Sequence, residues 1–323
     1  MMVKKIIFWL ENSRWYALPM TILTWLAAFI YGITQDGIIL YGIIALIGLI
    51  FAHLGANLFD DYSDYIRLTK AKEGDRTILP NSRRDKCTFL LNGEATLKET
   101  LYVIIFYCVM ACIIGLILFL LTGGGVILYT ILGAAVVLLY PFISRFGEIV
   151  LFLAYGPLMF GGIYYVMTQD FSAETFLISV PTAILTISVL YINNILDYDI
   201  DVKENKKTLA NLFKNKKHAL KLWVGLILIA YFFVFLCVAF DITDWQVMFT
   251  YLTIPLAANV YGSMLEYIEN PESVPEMCWY NFPYENAEKL AEENTANFKF
   301  RMYQIRNLMM YFSLIFAFAL FAD

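Results

Sequence analysis

The sequence predicts an all-α membrane protein: nine transmembrane helices built as two four-helix repeats plus one helix around a central cavity. Three observations support this fold class. Of the 323 residues, 60% are hydrophobic and only 16% are charged, which is more apolar surface than a soluble domain of this size can cover. The uncharged runs have the roughly 20-residue length that a helix needs to cross a bilayer. Two similar polar clusters, finally, each follow an apolar run.

Six spans follow directly from uncharged runs, at residues 15–35, 37–59, 149–169, 175–196, 222–240 and 245–265. The uncharged run Thr100–Ser144 is too long for one crossing. Gly123–Gly125 near its middle predicts a turn, and therefore two spans. The last apolar run, Asn307–Ala322, makes a ninth span if the side chains of Arg301 and Arg306 extend toward the interface.

The basic residues predict the orientation of these spans, because cytoplasmic loops are enriched in lysine and arginine. All 23 basic residues lie in the N-terminal segment or in the loops after the second, fourth, sixth and eighth spans. We therefore expect a single integral domain, residues 1–323, in the cell (inner) membrane, with a cytoplasmic N-terminus and the C-terminus outside. The cytoplasmic loop 266–306 is expected to contain a surface helix near Glu285–Phe300.

Two clusters of asparagine and aspartate each close an apolar run and open a basic segment, and they emerge on the same predicted face. The first cluster consists of Asn57, Asp60, Asp61 and Asp64, and the second of Asn193, Asp197 and Asp201. On a helix their spacing places Asn57, Asp61 and Asp64 on one face, and likewise the three members of the second cluster. Because ionisable groups at a bilayer margin are costly, such clusters indicate a functional site.

The residue types in the clusters favour magnesium. Oxygen ligands without histidine or cysteine suit a hard cation, which is usually shared between one or two carboxylates and a substrate phosphate. The basic residues that follow suit a phosphate: Arg67, Lys70, Lys72 and Arg76 after the first cluster, Lys203, Lys206 and Lys207 after the second. The pattern predicts binding of magnesium and a diphosphate with an apolar tail, beside membrane lipid. Nothing in the sequence indicates a nucleic acid or a protein partner.

A less specific interpretation is that these acids are solvated helix caps. We favour that interpretation for a lone acid such as Asp199. It is disfavoured for the two clusters, because order, side and spacing recur together.

The clusters resemble the two NxxxDxxxD-type motifs of the UbiA superfamily of intramembrane prenyltransferases. The second cluster, followed by Lys206 to Ala210, is similar to the 1,4-dihydroxy-2-naphthoate polyprenyltransferases, as are the stretches Arg14–Pro19 and Gly147–Pro157. The resemblance covers residues 14 to about 265. The first cluster departs from the pattern, since Tyr65 stands where the third polar residue would fall and Leu58 where the family often has an acid.

The resemblance implies a nine-helix bundle that transfers a polyprenyl group from an isoprenyl diphosphate to an aromatic acceptor, 1,4-dihydroxy-2-naphthoate in menaquinone synthesis. It implies magnesium ligands and substrate contacts: Asp60, Asp61, Asp64, Asp197 and Asp201 for the metal, and Asn57, Asn193, Arg76, Lys206 and Lys207 for the substrate. Two alternatives stay open. One is another aromatic acceptor, of the hydroxybenzoate or homogentisate type. The other is a non-enzymatic membrane transporter that binds cations or lipid.

Overall fold

The computed structural model describes residues 2–70, 87–140, 143–203, 206–275, 293 and 295–321. In these ranges the chain is helical and contains no strand, which confirms the all-α prediction. The helices are α1 (Met2–Asn12), α2 (Leu18–Thr34), α3 (Ile39–Lys70), α4 (Thr88–Leu91), α5 (Leu97–Thr122), α6 (Gly125–Leu139), α7 (Gly147–Leu153), α8 (Met159–Thr168), α9 (Glu174–Leu196), α10 (Tyr198–Lys203), α11 (Lys216–Ala239), α12 (Ile254–Glu269) and α13 (Ala296–Leu320).

Six segments are long and apolar enough to cross a membrane: Trp15–Thr34, Ile39–Ile66, Leu97–Thr122, Gly147–Thr168, Glu174–Leu196 and Lys216–Ala239. Each coincides with a predicted span. Large apolar side chains along α5, such as Phe106 and Leu120, are exposed, as expected for a helix that faces hydrocarbon. The protein is therefore an integral membrane protein. The nine-span count, the repeats and the orientation stay predictions.

The chain divides into two compact units. Unit 1 comprises Met1–Phe142 and Leu158–Phe171, and unit 2 comprises Ile143–Pro157 and Ser172–Asp323. The first cluster belongs to unit 1 and the second to unit 2.

In unit 1, α3 packs along α5 and α2 packs against α8. An apolar core joins α1, α3, α4 and α5 on the side of the first cluster, and we call it the Trp9 core. Its buried members include Trp9, Leu54, Leu58, Phe89 and Tyr107. This core fixes the end of α3, which carries the first cluster.

The glycines at residues 123–125 form the predicted turn. Helix α5 ends at Thr122, Gly123 has a φ of 83° and α6 begins at Gly125. The Tyr165 hydroxyl donates to the Thr122 carbonyl and accepts from the Gly125 N–H, both at 3.0 Å. A Cβ at Gly125 would lie 2.2 Å from the Tyr165 ring. The turn therefore needs glycine both for backbone conformation and for space.

In unit 2, α9 is the central helix. In the most apolar 18-residue stretch of this helix, 83% of the residues are buried inside the protein. They are buried because α7, α11 and α13 all pack against α9. The second cluster is placed at its C-terminal end.

The last helix begins earlier than its apolar run. Helix α13 starts at Ala296, so the described residues 296–306 of the expected loop are helical. Arg301 is 1% exposed, so its side chain is enclosed by the protein. Its guanidinium donates to the Ser263 carbonyl and to the carbonyl and hydroxyl of Ser273. Most of the expected surface helix, Glu285–Phe300, lies outside the described residues.

Candidate functional site

The first cluster lies on one unbroken helix. Because α3 continues from Ile39 to Lys70, Asn57, Asp61 and Asp64 share a face as predicted. Asp61 and Asp64 are buried, with exposures of 2% and 8%, and Asp60 is half-buried beside them. Buried carboxylates need compensation by cations or hydrogen-bond donors.

Part of this compensation comes from the segment between α1 and α2. The Arg14 guanidinium forms an ion pair with Asp61, and its other terminal nitrogen lies 3.6 Å from Asp60 Oδ2. Asn57 Nδ2 donates to the Ser13 carbonyl at 3.2 Å. The backbone N–H of Cys87 donates to Asp61 Oδ2 at 3.3 Å. Three segments that are distant in sequence therefore converge on the first cluster.

Arg14 contacts the first cluster, although the sequence analysis assigned it no role. Its φ of 55° and ψ of 51° place it in the left-handed region, which is uncommon for a residue with a side chain. The sequence contained two signals. One is a basic residue directly before span one on the same predicted face as the cluster, and the other is the resemblance of the stretch Arg14–Pro19 to the prenyltransferases. Neither signal specifies Asp61 as the partner, because the contact depends on how α2 and α3 pack.

The second cluster lies at a junction between two helices. Helix α9 ends at Leu196, and Asp197 caps it before α10 begins at Tyr198. The Asp197 N–H donates to the Asn193 carbonyl, and the Asp201 N–H donates to the Asp197 carbonyl, both at 2.9 Å. These bonds keep the i, i+4 spacing across the junction.

The acids of the second cluster are deeply buried and have a basic neighbour. Asp197 is 1% exposed and Asp201 is fully buried. Lys206 Nζ lies 3.3 Å from Asp201 Oδ1, and its backbone N–H donates to the Asp201 carbonyl at 2.8 Å. Lys207, by contrast, is exposed. Arg76 lies outside the described residues, and so does Lys72.

Asp199 behaves differently from the cluster acids, as the sequence predicted. Its side chain is 64% exposed and pairs with Lys216 at 2.7 Å. It is therefore a surface acid, and we exclude it from the site.

A group of side chains supports the end of α9. The Tyr267 hydroxyl donates to the carbonyl of Leu196, the residue before Asp197, at 2.8 Å. Lys216 Nζ lies 4.8 Å and Arg301 Cζ 5.1 Å from the centre of the Tyr267 ring, which is within cation–π range. These contacts join α12 and α13 to the second cluster. The sequence analysis had assigned Tyr267 no role.

Glu148 also received no role in the sequence analysis, although it lies in one of the stretches that resemble the prenyltransferases. It is 1% exposed, and Asn194 Nδ2 donates to its Oε1 at 2.7 Å. Asn194 directly follows Asn193, so Glu148 adds a buried carboxylate beside the second cluster.

The two departures from the family pattern in the first cluster are packing residues. Leu58 is fully buried in the Trp9 core, and Tyr65 packs against the same core. An acid at either position would replace an apolar contact. Asp64 is the buried acid nearest to position 65.

The donor set fits a magnesium ion that the protein holds only partly. Among the residues that the structure describes, no three histidine, cysteine, aspartate or glutamate side chains are grouped closely enough to hold a metal. Magnesium is usually bound by one or two carboxylates, with waters and substrate phosphates completing the shell. The oxygen-only clusters match that mode of binding and exclude a closed zinc site of the usual four-ligand type.

Comparisons with known proteins agree with this architecture. A chain described as a digeranylgeranylglyceryl phosphate synthase shares the fold with a TM-score of 0.59 at 13% identity, over 99% of this chain and 100% of the other. A UbiA homologue from Archaeoglobus fulgidus, bound to GPP and Mg2+, matches with a TM-score of 0.58 at 16% identity, over 98% and 99% of the two chains. At these identities the similarity concerns the fold.

Sequence comparison is more specific. A curated relative, UbiA prenyltransferase domain-containing protein 1 of Dictyostelium discoideum, is 30% identical over 91 residues, which is 28% of this chain. The match spans 27% of that relative's length. The model of the UbiA prenyltransferase family matches residues 14–281, a range that contains both clusters. The chain therefore belongs to the UbiA prenyltransferase family.

Proposed function

We propose that this protein transfers a polyprenyl group from an isoprenyl diphosphate to an aromatic acceptor in a magnesium-dependent reaction. The observation that carries the proposal is the burial of four aspartates, Asp61, Asp64, Asp197 and Asp201, at the ends of apolar spans. Family membership and the A. fulgidus homologue bound to GPP and Mg2+ support the same donor chemistry. The sequence resemblance favours 1,4-dihydroxy-2-naphthoate as the acceptor, in menaquinone synthesis.

Each cluster has a role in binding the donor. Asp61, Asp64, Asp197 and Asp201 would hold magnesium with the diphosphate, and Asp60 would be a further ligand. Asn57 and Asn193 would bind the diphosphate substrate through their side-chain amides. When bound, magnesium supplies positive charge against the charge that develops on the departing diphosphate.

The basic residues bind the phosphates. Lys206 contacts Asp201 in the structure, and we propose that it turns to a phosphate oxygen when the donor is bound. Lys207 and Arg76 contribute further positive charge. Fixed cations near the leaving group stabilise the transition state electrostatically.

The transfer breaks the bond between the allylic carbon and the diphosphate oxygen, and the electron pair leaves with the diphosphate. An electron-rich carbon of the acceptor ring then forms the new carbon–carbon bond and loses its proton, or carbon dioxide in the case of dihydroxynaphthoate. The apolar helices must exclude water from the allylic cation, since water would capture it.

We further propose the nine-span topology, with the N-terminus in the cytoplasm and the C-terminus outside, in the cell membrane. Three helical segments stand at the remaining predicted positions: Gly125–Leu139, the helix of Trp245–Thr253 continued by Ile254–Glu269, and Ala296–Leu320. Cysteine substitutions at Lys4, Asp170 and Asp241, labelled with a membrane-impermeant thiol reagent in cells, test this topology. We expect reaction from outside at residues 170 and 241 but not at residue 4, and the reverse pattern would reject the orientation.

The test of function is direct. Purified protein is incubated with magnesium, one polyprenyl diphosphate and, in parallel, dihydroxynaphthoate, hydroxybenzoate or homogentisate, and the product is identified by mass. We expect release of diphosphate in proportion to prenylated product. Prenylation of hydroxybenzoate or homogentisate alone would reassign the acceptor. Magnesium-dependent binding of the donor without release of diphosphate would favour the binding or transport alternative.

A further inference from the structure

Glu148 is a buried acid whose carboxylate has one bonded oxygen. It lies in the first turn of α7, at the start of span five, and is 1% exposed. Its Oε1 accepts from Asn194 Nδ2 at 2.7 Å. Its Oε2 is buried, and within the part of the chain that the structure describes it has no hydrogen-bond partner.

Such an oxygen is costly for a protein to maintain. A buried acceptor that lacks a donor has lost its hydration without replacement. Native structures therefore leave few of them, and a catalytic or binding role is one recurring reason for an exception. A purely structural role for Glu148 would be served by the bond to Asn194 alone.

The position of Glu148 connects it to the second cluster. Its partner Asn194 is 8% exposed and lies between Asn193 and Asp197 in sequence. Glu148 and the second cluster therefore share one end of unit 2.

We propose that Glu148 is an acceptor-binding residue, whose Oε2 accepts a hydrogen bond from a hydroxyl group of the acceptor. This inference rests on the proposed prenyl transfer. A carboxylate oxygen that lacks a donor can accept from a hydroxyl O–H, whereas a phosphate or an acceptor carboxylate at the same place would offer it no such donor. The inferred acceptor class is thus a phenol or another hydroxyl compound that presents its O–H to unit 2.

The variant Glu148→Gln tests the role with little change of shape. The glutamine carbonyl still accepts from Asn194, while its NH2 group replaces Oε2 and donates instead of accepting. Because the variant leaves buried polar groups without their partner, we expect the acceptor KM to rise by about 10- to 100-fold. The KM for the polyprenyl diphosphate and the magnesium dependence should not change. Glu174→Gln is the matched control, since Glu174 is an exposed acid in the first turn of α9.

Acceptor analogues test the same bond from the ligand side, first in the wild-type protein and then in Glu148→Gln. The hydroxyl groups of the acceptor are methylated one at a time, and each ether is measured as a competitive inhibitor of the wild-type protein. One ether should bind about 10- to 100-fold more weakly than the parent. Glu148→Gln should not distinguish that ether from the parent compound.

Three results would overturn the inference. They are equal inhibition by every methyl ether, an unchanged acceptor KM in a folded Glu148→Gln protein, or a changed KM for the diphosphate or magnesium with the acceptor KM unaffected. The last result would make Glu148 part of donor binding. If the wild-type protein prenylates no acceptor at all, the proposed function fails rather than the role of Glu148.

Discussion

Arg14 pairs with Asp61, so that a cation from the segment before span one compensates a buried acid at the end of span two. Asp61 is 2% exposed, and the Cys87 backbone supplies a further donor. A bound metal would place a second cation against the same carboxylate. The stability of this end of unit 1 should therefore depend jointly on Arg14 and on magnesium.

Removal of Arg14 tests this dependence. Arg14→Gln leaves Asp61 buried without its cation, and loss of one partner of a buried pair costs up to about 3–5 kcal/mol. The half-buried position of Arg14 reduces that figure. We expect a lower unfolding temperature in detergent without magnesium and a larger upward shift than wild type when magnesium and a polyprenyl diphosphate are added. Arg145→Gln, at an exposed arginine, is the control, and equal shifts in both variants would contradict the prediction.

Loss of a cluster acid should abolish transfer. We expect Asp61→Asn and Asp197→Asn each to lower turnover by more than about 100-fold, since even groups that only support a metal ligand cost 10- to 100-fold when removed. Diphosphate release is the measurement, together with the unfolding temperature as a check of folding. Asp199→Asn, at the exposed neighbouring acid, should turn over normally. Near wild-type activity of either cluster variant would remove that acid from the metal site.

A family-like acid at position 58 should destabilise this protein. Leu58 is fully buried in the Trp9 core, among Trp9 and Phe89. We expect Leu58→Asp to lower the free energy of unfolding by at least about 3 kcal/mol, because it buries a carboxylate among apolar groups. Leu58→Met, which conserves volume, should cost less than about 1.5 kcal/mol. Thermal unfolding in detergent measures both, and a stable Leu58→Asp protein would show that the site tolerates an acid.

Loss of the Tyr267 hydroxyl should lower both the stability of the protein and the affinity of the second cluster for magnesium. Tyr267→Phe removes the bond to the Leu196 carbonyl but keeps the ring within cation–π range of Lys216 and Arg301. We expect a stability loss of about 0.5–1.5 kcal/mol and a higher magnesium concentration for half-maximal activity, since Asp197 follows Leu196. Tyr261→Phe, at an exposed tyrosine of α12, should change neither quantity. An unchanged magnesium requirement in Tyr267→Phe would limit Tyr267 to a structural role.

The sequence determined the properties that depend on local pattern. Hydropathy and length located six spans, because a helix that crosses a bilayer must be apolar over a fixed number of residues. The three glycines located the turn after Thr122, and helical spacing placed Asp61 with Asp64, and Asp197 with Asp201, on a common face. The resemblance to the UbiA superfamily followed from the same local motifs.

Only the tertiary structure decided which groups contact the two clusters and their surroundings. Three such contacts join residues that are far apart in sequence: Arg14 with Asp61, Glu148 with Asn194, and Tyr267 with the carbonyl of Leu196. No periodicity in the sequence encodes such pairs. The burial of Arg301 also depends on packing. Hydropathy predicts that an arginine lies at the surface. Inside the protein, however, the guanidinium of Arg301 donates to backbone carbonyls of α12 and of the segment after it. Burial of a charge depends on the groups that packing brings to it, and these are known only once the helices are in place.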